Sequence, residues 1–155
     1  MVILISFETN TFDNIISKII KSESGIKKVI LTDRMGLTIA SVSKFSYFPV
    51  DIDGIGVITS VNFCTSEQAG KLLGLEDLNL IMCEFTGGKI FSAYAGKGVL
   101  TLISDPDIDI GLIRLILNSS GEKIREILKE SFTDADFRDY RDPDKDWEDK
   151  DFVLA

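Results

Sequence analysis

The stretch from Leu78 to Ser104 constrains the fold of this chain more than any other, because it carries apolar runs separated by glycine-containing turns. The three runs are Leu78–Phe85, Ile90–Ala95 and Val99–Ser104. Glycine at residues 86–89 and 96–98 supplies the positive φ angles that tight hairpins need. The stretch therefore predicts an antiparallel meander of three strands.

The first run of the meander is apolar on both of its faces. Leu80 and Met82 point to one side of an extended strand, whereas Ile81 and Cys83 point to the other. A strand that is apolar on both sides is expected to lie in a sheet whose two faces are both covered by other elements. The meander is therefore predicted to lie between helices.

The rest of the chain supplies helices and one further hairpin. Periodicity and turn residues predict a helix from Phe12 to about Lys21 capped by Asn10-Thr11, strands Lys27–Thr32 and Leu37–Ser43, a loop at 44–53, a helix at 54–73, and a helix from Ile110 to about Phe132. The segment 54–63 has the β-branched composition of a strand, but the length of the pattern and the stop at Gly74 favour helix. The prediction is an α+β fold of order α-β-β-α-β-β-β-α, with a five-stranded antiparallel sheet between helices.

Gly54, Gly56 and Gly70 in the middle helix each cost roughly 1 kcal/mol of helix stability relative to Ala. Such glycines are expected where another element packs closely against the helix. That element is either a partner molecule or the sheet of the same domain, and the sequence leaves both alternatives open.

Charge divides the chain into regions. Of the net charge of −8, the segment 133–155 carries −5, with nine acidic and four basic residues. We expect an N-terminal extension at 1–9, one domain at 10–132 and an acidic, flexible tail at 133–155. The acidic balance argues against a nucleic-acid partner, because phosphate contacts need Lys and Arg.

Residue types and motifs exclude most kinds of chemistry. The chain contains no histidine, which removes the usual general base and the commonest metal ligand. Its Gly-Lys pairs lack the rest of a phosphate-binding loop, and its Asp repeats lack the glycine and glutamate of a calcium loop. We therefore expect no enzymatic activity, cofactor or metal site. Arg34 is predicted to be a solvated turn residue, although an exposed arginine there would be able to reach a partner's nucleotide.

No apolar run approaches the length of a membrane span, and the start Met1–Phe7 lacks the basic residues of a signal sequence. We therefore expect no direct membrane insertion and a cytoplasmic location. The two cysteines lie in apolar segments and are predicted to be small core side chains.

Four segments together resemble the Roadblock family, the Roadblock/MglB type of dynein light-chain-like domain. They are the hairpin Val29–Ser41, the helix end Lys71–Leu75, the strand Leu80–Glu84 and the start of the last helix, Gly111–Leu117. The resemblance covers about residues 10–132, and it implies the sandwich that Roadblock and profilin-like proteins share.

The resemblance also implies a function. Similar proteins are non-enzymatic dimeric scaffolds that pack their middle helices side by side and pair the first meander strand across the two-fold axis. They present a platform to small Ras-like GTPases or to larger GTPase-regulating assemblies. The partner copy is expected to be a second copy of this chain or a related Roadblock-like subunit.

The residues expected at such a dimer interface lie on the middle helix and on the first meander strand. They are Ile58, Val61, Asn62, Thr65, Leu80, Met82 and Glu84. An exposed strand edge containing Leu80 and Met82 favours association if left open, and pairing with a second copy covers it. The alternative is a small-molecule sensing domain of profilin- or PAS-like build, with a ligand between sheet and helix.

Overall fold

A computed structural model describes residues 2–44 and 50–131, which form an α+β sandwich of three helices and five strands. The elements are α1 (Val2–Ser22), β1 (Ile26–Asp33), β2 (Thr38–Ser43), α2 (Ile52–Leu72), β3 (Leu80–Phe85), β4 (Gly88–Ala95), β5 (Gly98–Ser104) and α3 (Ile110–Ser131). The predicted fold class and order of elements are confirmed. The predicted tail at 133–155 lies outside the described residues.

All five strands belong to one antiparallel sheet of order β2-β1-β5-β4-β3. The meander β3-β4-β5 is confirmed, and β5 then pairs with β1 at the centre of the sheet. Among the turn glycines of the meander, Gly96 takes a positive φ of 67°, whereas Gly87 does not. The edges of the sheet are β2 and β3.

The main core lies between the sheet and the pair α1 and α3. Each helix turns an apolar stripe toward the sheet, because Ile16 of α1 and Ile113, Leu117, Ile124 and Leu128 of α3 are all buried. They pack against residues such as Val29, Leu31, Leu100 and Leu102 of the central strands. The side chains in alternate positions of these strands face α2, which covers the opposite side of the sheet.

The predicted start of α1 is wrong. The helix begins at Val2, ten residues before Phe12, so Asn10 and Thr11 lie inside the helix instead of capping it. Neither glycine nor proline occurs before Gly25. Because no residue strongly breaks a helix there, the helix extends through capping-type residues that a sequence pattern reads as a boundary.

The middle helix α2 was predicted at 54–73 and is confirmed, and Gly56 packs against the sheet of its own domain. A Cβ atom at Gly56 would lie 2.9 Å from Cγ2 of Thr32 and 3.4 Å from Oγ1 of Thr38. At Gly70 a Cβ atom would meet nothing closer than 3.9 Å. Packing against the sheet therefore explains Gly56 and does not explain Gly70.

Replacing Gly56 by Ala is expected to lower the free energy of unfolding by up to about 2 kcal/mol. Crowding against the buried Thr32 costs about 1–3 kcal/mol, which exceeds the gain of about 1 kcal/mol in helix propensity. Gly70→Ala is the matched control, since it has the propensity gain without the crowding and is expected to raise stability by about 0.5–1 kcal/mol. Urea unfolding followed by circular dichroism at one protein concentration measures both changes. Two substitutions that raise stability equally would contradict the close packing at Gly56.

Candidate functional site at the exposed surface of α2 and β3

Helix α2 turns its small and polar residues toward the sheet. Its N-cap Asp51 accepts a hydrogen bond from the Gly54 amide at 2.9 Å, which fixes the start of the helix. The buried residues of the helix are Gly56, Thr59, Ser60, Phe63 and Glu67, of which Phe63 is the one large apolar side chain. A helix normally buries its apolar stripe, so α2 has the reverse arrangement.

Hydroxyl groups make much of the contact between α2 and the sheet. The Ser60 hydroxyl lies within hydrogen-bonding distance of the carbonyl oxygens of Asp33 (3.2 Å) and Arg34 (2.9 Å) in the β1–β2 turn. Thr101 of the central strand donates its hydroxyl to the Thr59 hydroxyl at 3.2 Å. Because hydrogen bonds are directional, these contacts fix the orientation of α2 on the sheet.

A buried ion pair joins the β1–β2 turn to α2. Arg34 donates to the Glu67 carboxylate, and the two side chains are 8% and 7% exposed. The same guanidinium donates to the carbonyl oxygen of Gly96 at 3.3 Å and lies 5.9 Å from the centre of the Phe63 ring. The prediction that Arg34 is a solvated turn residue is wrong, because Glu67 and Phe63 of α2 enclose it. Its guanidinium therefore makes these contacts inside the domain.

The outer face of α2 exposes apolar side chains to solvent. Ile58 is 69% exposed and Val61 is 56% exposed. Asn62 and Thr65 lie on the same outer face and are exposed as well. The structure thus brings together on one surface the four residues that were predicted on the middle helix.

Strand β3 is an edge of the sheet, so one side of its backbone has no strand partner among residues 2–44 and 50–131. Met82 pairs with Phe91 and Leu80 pairs with Ala93, both of which belong to the core beneath α1 and α3. Leu80, Met82 and Glu84 therefore point away from α2, and Met82 is 37% exposed. These three predicted residues lie on the strand next to α2, but their side chains point to the opposite face of the sheet.

The β3 residues on the side of α2 are Ile81, Cys83 and Phe85, none of which is among the predicted interface residues. Asn62 of α2 lies 3.8 Å from the Cys83 sulfur, which marks the point where helix and edge strand meet. The sequence predicts that side chains alternate along the strand. It does not predict which face of the strand α2 covers, because that face depends on how β5 pairs with β1.

Within residues 2–44 and 50–131, no three histidine, cysteine, aspartate or glutamate side chains are grouped so as to hold a metal ion. No helix in the same part of the chain is long and apolar enough to cross a membrane.

A shallow cleft lies on the other side of the sheet, between β4 and α3. Its volume is about 170 Å³, and it is lined by Asn79, Tyr94, Asn118, Gly121, Glu122 and Arg125. Sites for small molecules are typically about 300–1,000 Å³ and mostly apolar. The cleft is smaller and more polar than such a site.

The sequence matches a known family and known proteins. The family model described as mitogen-activated protein kinase kinase 1 interacting matches residues 10–133. An uncharacterized protein of Methanocaldococcus jannaschii is 32% identical over 113 residues, which cover 73% of this chain and 96% of that protein.

Solved structures share the fold at low sequence identity. MglB in a tetrameric arrangement has a TM-score of 0.73 at 17% identity, over 81% of this chain and 93% of that chain. The Roadblock/LC7 domain from Streptomyces avermitilis has a TM-score of 0.68 at 17% identity, over 75% of this chain and 96% of that chain. These likenesses confirm the Roadblock resemblance at the level of the fold. The chain therefore belongs to the mitogen-activated protein kinase kinase 1 interacting family and has a Roadblock-type fold.

Proposed function

We propose that the protein is a non-enzymatic dimeric scaffold or regulator that binds a small Ras-like GTPase or a larger GTPase-regulating assembly. The observation that carries the proposal is the reversed arrangement of α2, which buries hydroxyl groups and exposes Ile58 and Val61 beside the open edge of β3. An apolar helix face next to an unpaired strand is a surface that association covers.

A two-fold axis beside β3 brings both features into one interface. Pairing of β3 with its copy satisfies the free backbone groups of the edge, and the sheet then continues across the dimer. The two α2 helices lie side by side on one face of that sheet, with Ile58, Val61, Asn62 and Thr65 toward each other. Leu80, Met82 and Glu84 contribute from the opposite face of the same strand pair.

The GTPase part of the proposal rests on the Roadblock resemblance. Two adjacent α2 helices form a broad platform, and the tetrameric arrangement of MglB is consistent with a fold that self-associates. The partner copy is this chain or a related Roadblock-like subunit. We place the protein in the cytoplasm, without a nucleic-acid partner, direct membrane insertion or a cofactor.

The sensor alternative has less support in the described residues. A ligand between sheet and helix needs a cavity there, whereas hydroxyl contacts and the close approach of Gly56 fill the space under α2. The cleft of about 170 Å³ between β4 and α3 lies on the other side of the sheet.

Light scattering after size exclusion, across a dilution series, tests the proposal. We expect twice the chain mass of 17.2 kDa, stable down to micromolar concentration. The dimer is then added to immobilised Ras-like GTPases loaded with GDP or with a non-hydrolysable GTP analogue, and retention that depends on the nucleotide supports the GTPase partner. A monomer at all concentrations contradicts a homodimer, and a dimer that no loaded GTPase retains contradicts the choice of partner.

A further inference from the structure

Three exposed apolar side chains lie where the β1–β2 turn touches α2. Met35 is 76% exposed, Leu37 is 71% exposed, and Val57 of α2 is exposed beside them. Gly36 lies between Met35 and Leu37 and rests on the helix, since a Cβ atom there would be 2.7 Å from Cα of Val57. We call Met35, Leu37 and Val57 the turn patch.

The turn that carries this patch is held in one conformation. The Asp33 carboxylate accepts hydrogen bonds from the amides of Met35 and Leu37, each at 2.9 Å. Gly36 has a φ of +90°, and its amide donates to the Asp33 carbonyl oxygen at 3.1 Å. The backbone of a rigid turn loses little conformational freedom on binding, which favours its use in a docking surface.

Acidic residues lie on both segments that carry the turn patch. Asp33 lies at the base of the turn, Asp51 caps α2, and Asp53 lies one helical turn before Val57. Arg34, the basic residue of the turn, points inward to Glu67. An apolar patch on two acidic segments complements a segment that carries Lys or Arg around an apolar side chain.

The turn patch lies on the flank of α2 opposite β3. Asn62 faces Cys83 of β3, whereas Ser60 faces the β1–β2 turn. Pairing of β3 across a two-fold axis therefore leaves the turn patch uncovered. A ligand of this patch does not depend on the dimer proposed above.

We propose that the turn patch is a docking surface for a basic protein segment with an apolar anchor residue. The anchor packs among Met35, Leu37 and Val57, and its flanking Lys or Arg side chains lie near Asp33, Asp51 and Asp53. Anionic lipid surfaces and nucleic acids are disfavoured by the same three carboxylates.

The test uses a synthetic amphipathic peptide of Leu and Lys, about 16 residues or roughly four helical turns long. It is titrated into the full isotope-labelled chain while NMR follows the amide and methyl signals. We expect saturable shifts at Met35, Leu37 and Val57, with affinity that falls as salt is added. A peptide with Glu in place of Lys is expected to bind at least about tenfold more weakly.

Variants separate the turn patch from general charge attraction. Leu37→Ser is expected to weaken binding of the peptide about tenfold, because it removes apolar surface that the peptide's anchor residue covers. Asp53→Asn is expected to reduce the salt dependence while leaving the fold intact. Leu115→Ser is the matched control, because Leu115 is 69% exposed on α3, and it is expected to leave the affinity unchanged.

Several outcomes would overturn the proposal. The acidic segment 133–155 also attracts a basic peptide, so shifts confined to that segment would count against the turn patch. The same holds if Leu37→Ser binds within about twofold of the unaltered chain, if the Glu peptide binds equally well, or if no shift saturates. The dimer mass remains a separate measurement, so either proposal can fail alone.

Discussion

Replacing Val61 by Asp is expected to convert the proposed dimer into a monomer that is still folded. Val61 is 56% exposed in the isolated domain, so the carboxylate does no harm there. In a dimer with α2 beside its copy, a two-fold axis places two such carboxylates in one apolar contact. Unpaired charges buried in this way cost several kcal/mol, so we expect the dissociation constant to rise at least about 100-fold, or about 2.7 kcal/mol.

Light scattering across a dilution series measures this change, and urea unfolding of the monomer confirms that the domain survives. Leu115→Asp is the matched control. Leu115 is as exposed as Ile58, at 69%, but lies on α3 on the opposite side of the sheet. It is expected to keep the dimer mass.

Met82→Asp tests the strand half of the same interface. Met82 lies on the edge strand β3 but points away from α2. If β3 pairs across the two-fold axis, a carboxylate there also weakens the dimer. A dimer that survives both Val61→Asp and Met82→Asp would mean that another surface joins the copies.

The order of helices and strands was predictable because each signal is local. The stripe Ile113, Leu117, Ile124 and Leu128 recurs at helical spacing, and all four residues are buried against the sheet. The glycine turns of the meander likewise lie between strands that are neighbours in sequence and in space. Patterns of this kind need no information from distant parts of the chain.

The faces of the candidate site were not predictable in the same way. The direction of Met82 relative to α2 depends on which side of the sheet the helix crosses, and β5 and β1, which α2 covers, pair across a long separation. The interface residues predicted on β3 are therefore Leu80, Met82 and Glu84, whereas Ile81, Cys83 and Phe85 lie on the side of α2. Both sets lie on the same edge strand, so the assignment of β3 to the interface stays a prediction whichever face is used.

The role of Arg34 was missed for a related reason. Its partner Glu67 is 33 residues away, and nothing in the turn sequence indicates that the side chain folds inward. An arginine between Asp33 and Met35 resembles an ordinary surface residue. Only the placement of Glu67 on the buried side of α2 shows that the two form a pair.

Breaking this pair is expected to cost more stability than any other single substitution proposed for this chain. Glu67→Gln keeps the shape of the side chain but leaves the Arg34 guanidinium buried without its counter-charge. Arg34→Met likewise leaves the Glu67 carboxylate buried without its counter-charge. Removal of one partner of a buried pair typically costs about 3–5 kcal/mol, a large part of a domain's total of about 5–15 kcal/mol.

A double-mutant cycle with Arg34→Met and Glu67→Gln separates the interaction from the loss of each side chain. The double variant is expected to be more stable than the sum of the single effects predicts, because neither charge then remains unpaired. The control pair is Lys27 and Asp105, which are 3.4 Å apart and both 47% exposed. Lys27→Met is expected to change stability by less than about 1 kcal/mol, as is usual for surface pairs.

Loss of the Arg34–Glu67 pair is also expected to affect the proposed interface, because few apolar contacts hold α2 against the sheet. Phe63 is its one large buried apolar side chain, and its other contacts include hydroxyl bonds, the close approach of Gly56 and the Arg34–Glu67 pair. In the single variants we expect amide hydrogens of α2 to exchange faster than those of α1 and α3, which the main core holds. Uniform acceleration across all three helices would instead show that α2 unfolds only with the whole domain, and that the ion pair stabilises the fold without specifically positioning the helix.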